Sequence, residues 1–116
     1  MNIIRWEEIP TEKISEGVER QVVWGEKGTL ARFHFAKGTH VSPHQHEAEQ
    51  HTCLLEGAMR VRAVGRAFEL RAGGVLVIPA RTEHEVWFVE DSLVLDFFAP
   101  PRHDWRQGEA NYLKGK

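Results

Sequence analysis

Seven histidines occur among the 116 residues of the chain, and four of them lie between positions 40 and 51. In the His-Gln-His segment 44–46, two imidazoles stand at i and i+2, so on a β-strand both would leave the same face. Gln50 lies four residues after His46, an even spacing that on a strand would place it on the same face. His84 begins another apolar run. Three imidazoles and one weak oxygen donor can bind a transition metal and leave positions open for substrate, so this pattern predicts a metal site. The other isolated histidines are interpreted as ordinary hydrogen-bonded or solvated side chains: His34, His40 and His103.

A carboxylate interrupts an apolar strand near the end of the chain. In residues 93–98, alternation places Val94, Asp96 and Phe98 on one face. An unpaired buried carboxylate is costly, so Asp96 requires either a functional cavity or a structural ion pair. The candidate partners for such a pair are Arg32, Arg60 and Arg62. Arg102 follows two prolines that stiffen the chain, which suits either a carboxylate-binding residue or an ordinary surface arginine.

Short strands separated by turns would have to position these residues. Alternating or continuous apolar patterns predict strands at 29–35, 51–56, 58–64, 67–70, 75–78, 84–89 and 93–98, with a hairpin turn at Gly65-Arg66. A helical turn is expected only within residues 10–18 or after Pro101. Many short strands with frequent turns predict an all-β sandwich or barrel.

Composition narrows the class of protein further. The net charge is −2, from 15 basic and 17 acidic residues, and no basic stripe is present, so a nucleic-acid partner is not expected. The one cysteine, Cys53, cannot form an internal disulfide. No signal peptide or membrane-spanning apolar segment is recognised, so we expect one domain in the cytoplasm with no membrane partner.

The spacing of the histidines resembles the first motif of the cupin family. That motif reads Gly, five residues, His-x-His, three or four residues, Glu, six residues, Gly. The chain places Gly38, His44, His46, Gln50 and Gly57 at those positions, so the one departure is Gln50 in place of Glu.

The second cupin motif is also present, with two departures. Gly73, Pro79 and His84 stand at family positions, whereas Arg81 replaces an inner Gly and Phe88 replaces an Asn. The resemblance implies a double-stranded β-helix, or jelly-roll barrel, at about 29–102, preceded by a strand arm at 1–28 and followed by a short tail at 103–116, all one domain. It implies a metal bound by His44, His46, Gln50 and His84. It also implies a homodimer that pairs through the apolar N-terminal residues 1–9.

The neutral Gln50 influences the choice of reaction. An amide oxygen can coordinate a metal, but it cannot take up a proton and so cannot serve as a general base. A neutral fourth ligand therefore weakens a dioxygenase interpretation and favours a Lewis-acid role toward an anionic substrate.

The segment 94–105 resembles the C-terminal signature of the pectin-degradation cupins (KdgF-type), with Leu95-Asp96-x-Phe98, prolines and then Arg102. That resemblance implies conversion of a 4,5-unsaturated monouronate into its open-chain keto form. It implies that Asp96 and Arg102 are catalytic and that Arg102 and Phe98 contact the substrate.

Three functions follow as hypotheses. The first is a metal-dependent sugar isomerase of uronate catabolism, which uses a divalent Ni, Zn, Fe or Mn ion and a small anionic sugar. The second is another metal-dependent cupin enzyme, such as a dioxygenase. The third is a cupin that binds a metal or metabolite without catalysis.

Overall fold

The computed structural model describes residues 1–106 of the chain. A short 3₁₀ turn, Trp6–Glu8, precedes the first strand. The remaining elements are β1 Glu12–Ser15, β2 Val18–Trp24, β3 Thr29–Phe35, β4 His40–His44, β5 Glu49–Glu56, β6 Ala58–Ala63, β7 Arg66–Arg71, β8 Val75–Ile78, β9 His84–Phe88, β10 Ser92–Ala99 and α1 His103–Arg106.

The strands form two antiparallel sheets. The six-stranded sheet has the order β1-β2-β3-β10-β5-β8, and the four-stranded sheet has the order β4-β9-β6-β7. The all-β jelly-roll prediction is confirmed. The sheets enclose one core between their inner faces. No helix within residues 1–106 is long and apolar enough to cross a bilayer.

Side-chain alternation explains which face of each strand is buried. On β3, Ala31, Phe33 and Phe35 point into the core, as their period of two predicts. Phe35 stacks between Phe33 and Phe88, at ring-centroid distances of 4.9 and 4.0 Å. Burial of each such ring contributes about 2 kcal/mol to stability. These aromatic rings fill one end of the barrel interior.

The other end of the interior is polar because of the register of the six-stranded sheet. On β10 the inward row begins with Ser92 and Val94, beside the phenylalanines of β3, and then reaches Asp96. Asp96 is paired with Thr52 of β5, and Gln50 lies one inward position farther along. The polar residues of these two strands therefore meet at one mouth of the barrel.

The expected helical turn within residues 10–18 is wrong. These residues form β1 and the start of β2, joined by a turn in which Gly17 has a φ of 79°. Glycine adopts that left-handed conformation without strain, and the valines of β2 favour an extended chain. The expected turn after Pro101 is confirmed as α1. The hairpin turn lies at Val64-Gly65, because Arg66 already belongs to β7.

The predicted division into arm, barrel and tail stays a prediction. β2 of the predicted arm pairs along its whole length with β3, so the arm contributes strands to the six-stranded sheet. Of the predicted tail, residues 107–116 lie outside the described residues.

Candidate metal centre

Three histidines converge at the polar mouth of the barrel. His44 ends β4 and His84 begins β9, and the two residues are direct partners in the antiparallel register. Each of His44, His46 and His84 offers a ring nitrogen, and these three atoms lie within 4.8 Å of one another. His46 does not lie on a strand, so the argument that placed it beside His44 by strand parity is wrong. The loop between β4 and β5 turns His46 toward the other two rings.

The backbone fixes the orientation of all three rings. Each histidine places its Nδ1 at 2.8 Å from a carbonyl oxygen two residues away, and the acceptors are Ser42, Ala48 and Thr82. Nδ1 therefore carries the proton and Nε2 carries the lone pair that faces the neighbouring imidazoles. Such outer hydrogen bonds are typical of histidines that bind metals.

Burial keeps these imidazoles neutral. It lowers the pKa of His44 to about 3 and the pKa of His84 to about 4, with the nearby histidines and Arg102 as further causes. The pKa of His46 is lowered as well, first by burial and then by Arg102. Neutral imidazoles are the form that binds metals. The Nε2 atom of His84 is buried and has no hydrogen-bond partner among the described residues.

Gln50 completes a donor set that fits a divalent ion. Its Oε1 lies 2.9 Å from Nε2 of His46, while its Nε2 donates to the Thr52 hydroxyl at 2.8 Å. Because Nδ1 of His46 holds that ring's proton, the 2.9 Å contact brings two acceptor atoms together. A cation shared by these atoms removes their repulsion. Three imidazole nitrogens and one neutral oxygen suit a divalent transition metal.

Asp96 lies beside this donor set and is almost fully buried. Burial raises its pKa to about 6, although hydrogen bonds from Thr52 and Gln50 and the charge of Arg102 act in the opposite direction. Its Oδ1 atom is buried and has no hydrogen-bond partner in the described part of the chain. The three arginines weighed as structural partners bond other side chains: Arg32 to Gln21, Arg60 to Glu69 and Arg62 to Glu85.

Arg102 is a buried residue with 2% exposure, not a surface arginine. Its backbone N–H donates to the hydroxyl of Thr29 at 2.9 Å, which holds the chain after the two prolines against β3. Its guanidinium lies 4.8 Å from the ring centroid of Phe98. Nε and Nη2 donate to the two carboxylate oxygens of Asp104 at 3.0 and 2.7 Å. The arginine predicted to hold a substrate carboxylate thus holds a carboxylate of its own chain.

Phe98 connects these groups. It is fully buried, and its ring centroid lies 5.5 Å from that of His46. Together with the candidate ligands His44, Gln50 and His84, it lines an interior space of about 40 Å³ that also touches Asp96, Arg102 and Trp105. A wider groove of about 720 Å³ is lined mainly by the β6–β7 turn and the segment that leads into β9, and of the predicted site residues only His84 lines it. The chemistry of the site therefore belongs to the interior space.

Sequence reasoning missed Arg20, Asp104 and the position of Trp105. Arg20 points inward from β2, pairs with Glu12 at 3.1 Å and has a buried Nη1 atom with no hydrogen-bond partner among residues 1–106. Its guanidinium lies 4.4 Å from the ring of Trp105. The signal in the sequence was an arginine between Val18 and Val22 in an alternating strand.

Comparison with known proteins identifies the family. The model of the cupin domain matches residues 31–99, which is more than half of the chain. The chain belongs to the cupin family. This cupin is 28% identical over 102 residues to the pectin degradation protein KdgF of Dickeya dadantii (strain 3937). The aligned region covers 85% of this chain and 93% of that protein.

Solved structures agree with this assignment. The structure of KdgF from Halomonas sp. matches with a TM-score of 0.84 and 30% identity, over 90% of this chain and 98% of that one. An RmlC-like cupin from Shewanella frigidimarina NCIMB 400 also matches with a TM-score of 0.84, at 24% identity, over 90% of this chain and 96% of that one. The second similarity shows the fold alone. The predicted resemblance to KdgF-type cupins is confirmed.

Proposed function

We propose that this cupin holds a divalent Ni, Zn, Fe or Mn ion on His44, His46, Gln50 and His84 and acts on a 4,5-unsaturated monouronate. The reaction is ring opening and conversion to the open-chain keto form. The observation that carries the proposal is the environment of Asp96, a buried carboxyl that lies beside the histidines and Arg102 and whose Oδ1 has no hydrogen-bond partner among residues 1–106. Such a group is a candidate for proton transfer. Similarity to a pectin degradation protein supports a uronate as the substrate class.

The residues divide the work. A divalent ion in the site supplies Lewis-acid stabilisation of negative charge on a substrate oxygen. Asp96 accepts the proton of the anomeric hydroxyl through Oδ1, and the bond between the anomeric carbon and the ring oxygen breaks. The electron pair goes to the ring oxygen and gives an enolate. Asp96 then returns the proton to the carbon end of the double bond, so the keto product has the composition of the substrate.

Gln50, Arg102 and Phe98 bind or orient the metal and the substrate and do not transfer protons. Gln50 cannot act as the base because its amide takes up no proton. The same amide is fixed by Thr52, at 2.8 Å. Arg102 binds the substrate carboxylate through its two-pronged guanidinium, and Phe98 packs against the ring.

The test is turnover of an unsaturated monouronate, followed by loss of its near-ultraviolet absorbance. Asp96→Asn keeps the shape of the side chain but removes the base, so kcat falls by about 10² to 10⁴. Metal content stays at the wild-type level. Asp91→Asn, a matched change in the exposed turn before β10, retains turnover. Wild-type turnover by Asp96→Asn rejects the catalytic role, and oxygen consumption by the wild type in place of isomerisation favours the dioxygenase alternative.

We also propose that the cupin is a homodimer paired through residues 1–9. Ile3 and Ile4 support this proposal because they are 94% and 53% exposed, and a second copy would remove that apolar surface from water. Light scattering at micromolar concentration is expected to give twice the chain mass, and Ile3→Asp is expected to shift the population toward monomer. A monomeric wild type rejects the proposal.

A further inference from the structure

The short helix α1 inserts Trp105 into the barrel interior, where the ring lines the same space as the candidate metal ligands. Its Trp105 is only 5% exposed and packs edge-on against Phe33 and Phe98, at centroid distances of 5.9 and 5.1 Å. The guanidiniums of Arg20 and Arg102 each lie 4.4 Å from the Trp105 ring. An aromatic ring of this chain thus occupies a place bounded by two buried cations and two phenylalanines.

Asp104, the residue before Trp105, supplies a carboxylate at the same place. Both of its oxygens bond the guanidinium of Arg102. The side chain of Asp104 is 36% exposed, so solvent reaches the pair from one side. A bidentate arginine–carboxylate pair is the arrangement by which an anionic ligand would bind this guanidinium.

The interior cannot admit a sugar acid while α1 is in this position. The space beside the histidines measures about 40 Å³, whereas pockets for small molecules hold about 300 Å³ or more. Removal of an indole ring would enlarge this space and expose Arg20, whose Nη1 is buried and has no hydrogen-bond partner in residues 1–106. A single helical turn has little stability of its own, so α1 depends on these contacts to stay in place.

We propose that α1 is an internal substitute for the ligand, in which Asp104 occupies the carboxylate position and Trp105 the ring position, and that a uronate binds by displacing both. This inference rests on the proposed function for its ligand class. Arg20 then becomes the second cation of the opened chamber and favours ligands with more than one anionic or acceptor group. The chain competes with its own ligand, so the contacts of α1 set the apparent affinity.

Calorimetric titration of the metal-loaded protein with D-galacturonate, a saturated monouronate, tests the competition. Asp104→Asn removes the competing charge and retains the shape, so the dissociation constant falls by about tenfold, the size of one charge-assisted hydrogen bond. Neutral D-galactose gains nothing from this change. Glu90→Gln is the control because it removes one negative charge beyond the opposite end of β10 and leaves both affinities unchanged.

Hydrogen exchange supplies a readout that does not depend on affinity. The Trp105 N–H donates to the carbonyl of Arg102 at 3.1 Å, and the His103 N–H donates to that of Pro101 at 2.9 Å. Galacturonate displaces α1, so both amides exchange faster when the ligand is present. Exchange in β3 and β10 does not accelerate.

The outcomes separate this inference from the proposed function. Tighter galacturonate binding by Asp104→Asn with faster exchange in α1 supports the inference even if no unsaturated uronate is turned over. Weaker binding by Asp104→Asn overturns it, because Asp104 would then serve to orient Arg102. Slower exchange in α1 on ligand addition, or no binding of galacturonate by either protein, also overturns it, even in an enzyme that turns over an unsaturated uronate.

Discussion

The outer face of the four-stranded sheet and the inner row of the six-stranded sheet both carry charged residues, but these residues differ in exposure and in whether their polar atoms have partners. Outside, Arg60 of β6 pairs with Glu69 of β7 at 3.3 Å, and both side chains are more than half exposed. Inside, Asp96 is buried and one of its oxygens has no hydrogen-bond partner among the described residues. His84 lies across the barrel from Asp96, and its ring Nε2 is also buried without a hydrogen-bond partner among the described residues.

This difference distinguishes surface charge from functional charge. On the outer face, water and a neighbouring side chain satisfy each group, so nothing further is needed to explain it. In the interior, a polar atom without a partner costs about 1–3 kcal/mol of stability. A fold that retains two such atoms in one small space is expected to recover that cost when a ligand binds. The barrel interior, lined by both sheets, is therefore where substitutions should alter binding, and the outer face is where they should not.

The largest expected effect is on metal affinity. His84→Ala removes a buried residue of the proposed ligand set, and we expect metal affinity to fall by more than about a hundredfold, because outer-shell changes alone cost about 10- to 100-fold. His51→Ala is the matched control. His51 lies next to Gln50 on β5 but points outward, half-exposed, and bonds Glu49. Metal analysis after dialysis against a competing chelator measures both variants.

Two results would contradict this contrast. Full metal content in His84→Ala would show that the metal lies elsewhere. Equal loss of metal in His51→Ala would show that an outward-facing histidine contributes to metal affinity as much as an inward-facing one.

The sequence predicted the strands well where the alternation was strict. Residues 29–35 form β3 with the expected bounds, and the continuous apolar run at 75–78 forms β8. Alternation grouped Val94, Asp96 and Phe98 on one face of β10, and the structure buries that face. The N-terminal hairpin was missed because β1 has only four residues, too few for alternation to stand out. β2 pairs along its whole length with β3, and no local pattern reveals that pairing.

The candidate site could be predicted from the spacing of the cupin motifs more than from strand geometry. His44, His46, Gln50 and His84 do come together, but His46 reaches the others from a loop, where strand parity does not apply. Asp96 could be predicted as a site residue because a carboxylate in an apolar strand is costly to bury without a partner or a function.

The contacts of α1 could not be predicted. The bond between Arg102 and Asp104 depends on the angle at which the chain enters α1, and the position of Trp105 depends on its packing against the barrel interior. Local sequence sets neither of them. Arg20 could have been found from its inward place in β2 once that strand was known.

An intermediate effect is expected from Thr52, which links Gln50 to Asp96. Thr52→Val preserves volume but removes the hydroxyl that accepts from the Gln50 amide at 2.8 Å and hydrogen-bonds Asp96, so stability falls by about 1–3 kcal/mol. Metal affinity falls by about tenfold as Gln50 loses its orientation. Thr29→Val is the control, since Thr29 is equally buried but bonds the backbone of Arg102. We expect it to lower the melting temperature without a change in metal affinity; unchanged metal affinity in Thr52→Val would remove Thr52 from the ligand network.

The smallest effect is expected on the outer face, where Arg60→Ala breaks the pair with Glu69. The pair is exposed, so water replaces each lost contact and the free energy of unfolding changes by about 0.5 kcal/mol or less. For a domain of this size that corresponds to a shift of about 4 °C or less in melting temperature. A double-mutant cycle with Glu69→Ala isolates the coupling, which should fall further in high salt because exposed charges are screened. Metal affinity and uronate turnover stay unchanged. A coupling of more than about 2 kcal/mol, or a loss of metal, would show that the outer face contributes to the site and that burial is not what separates the two regions.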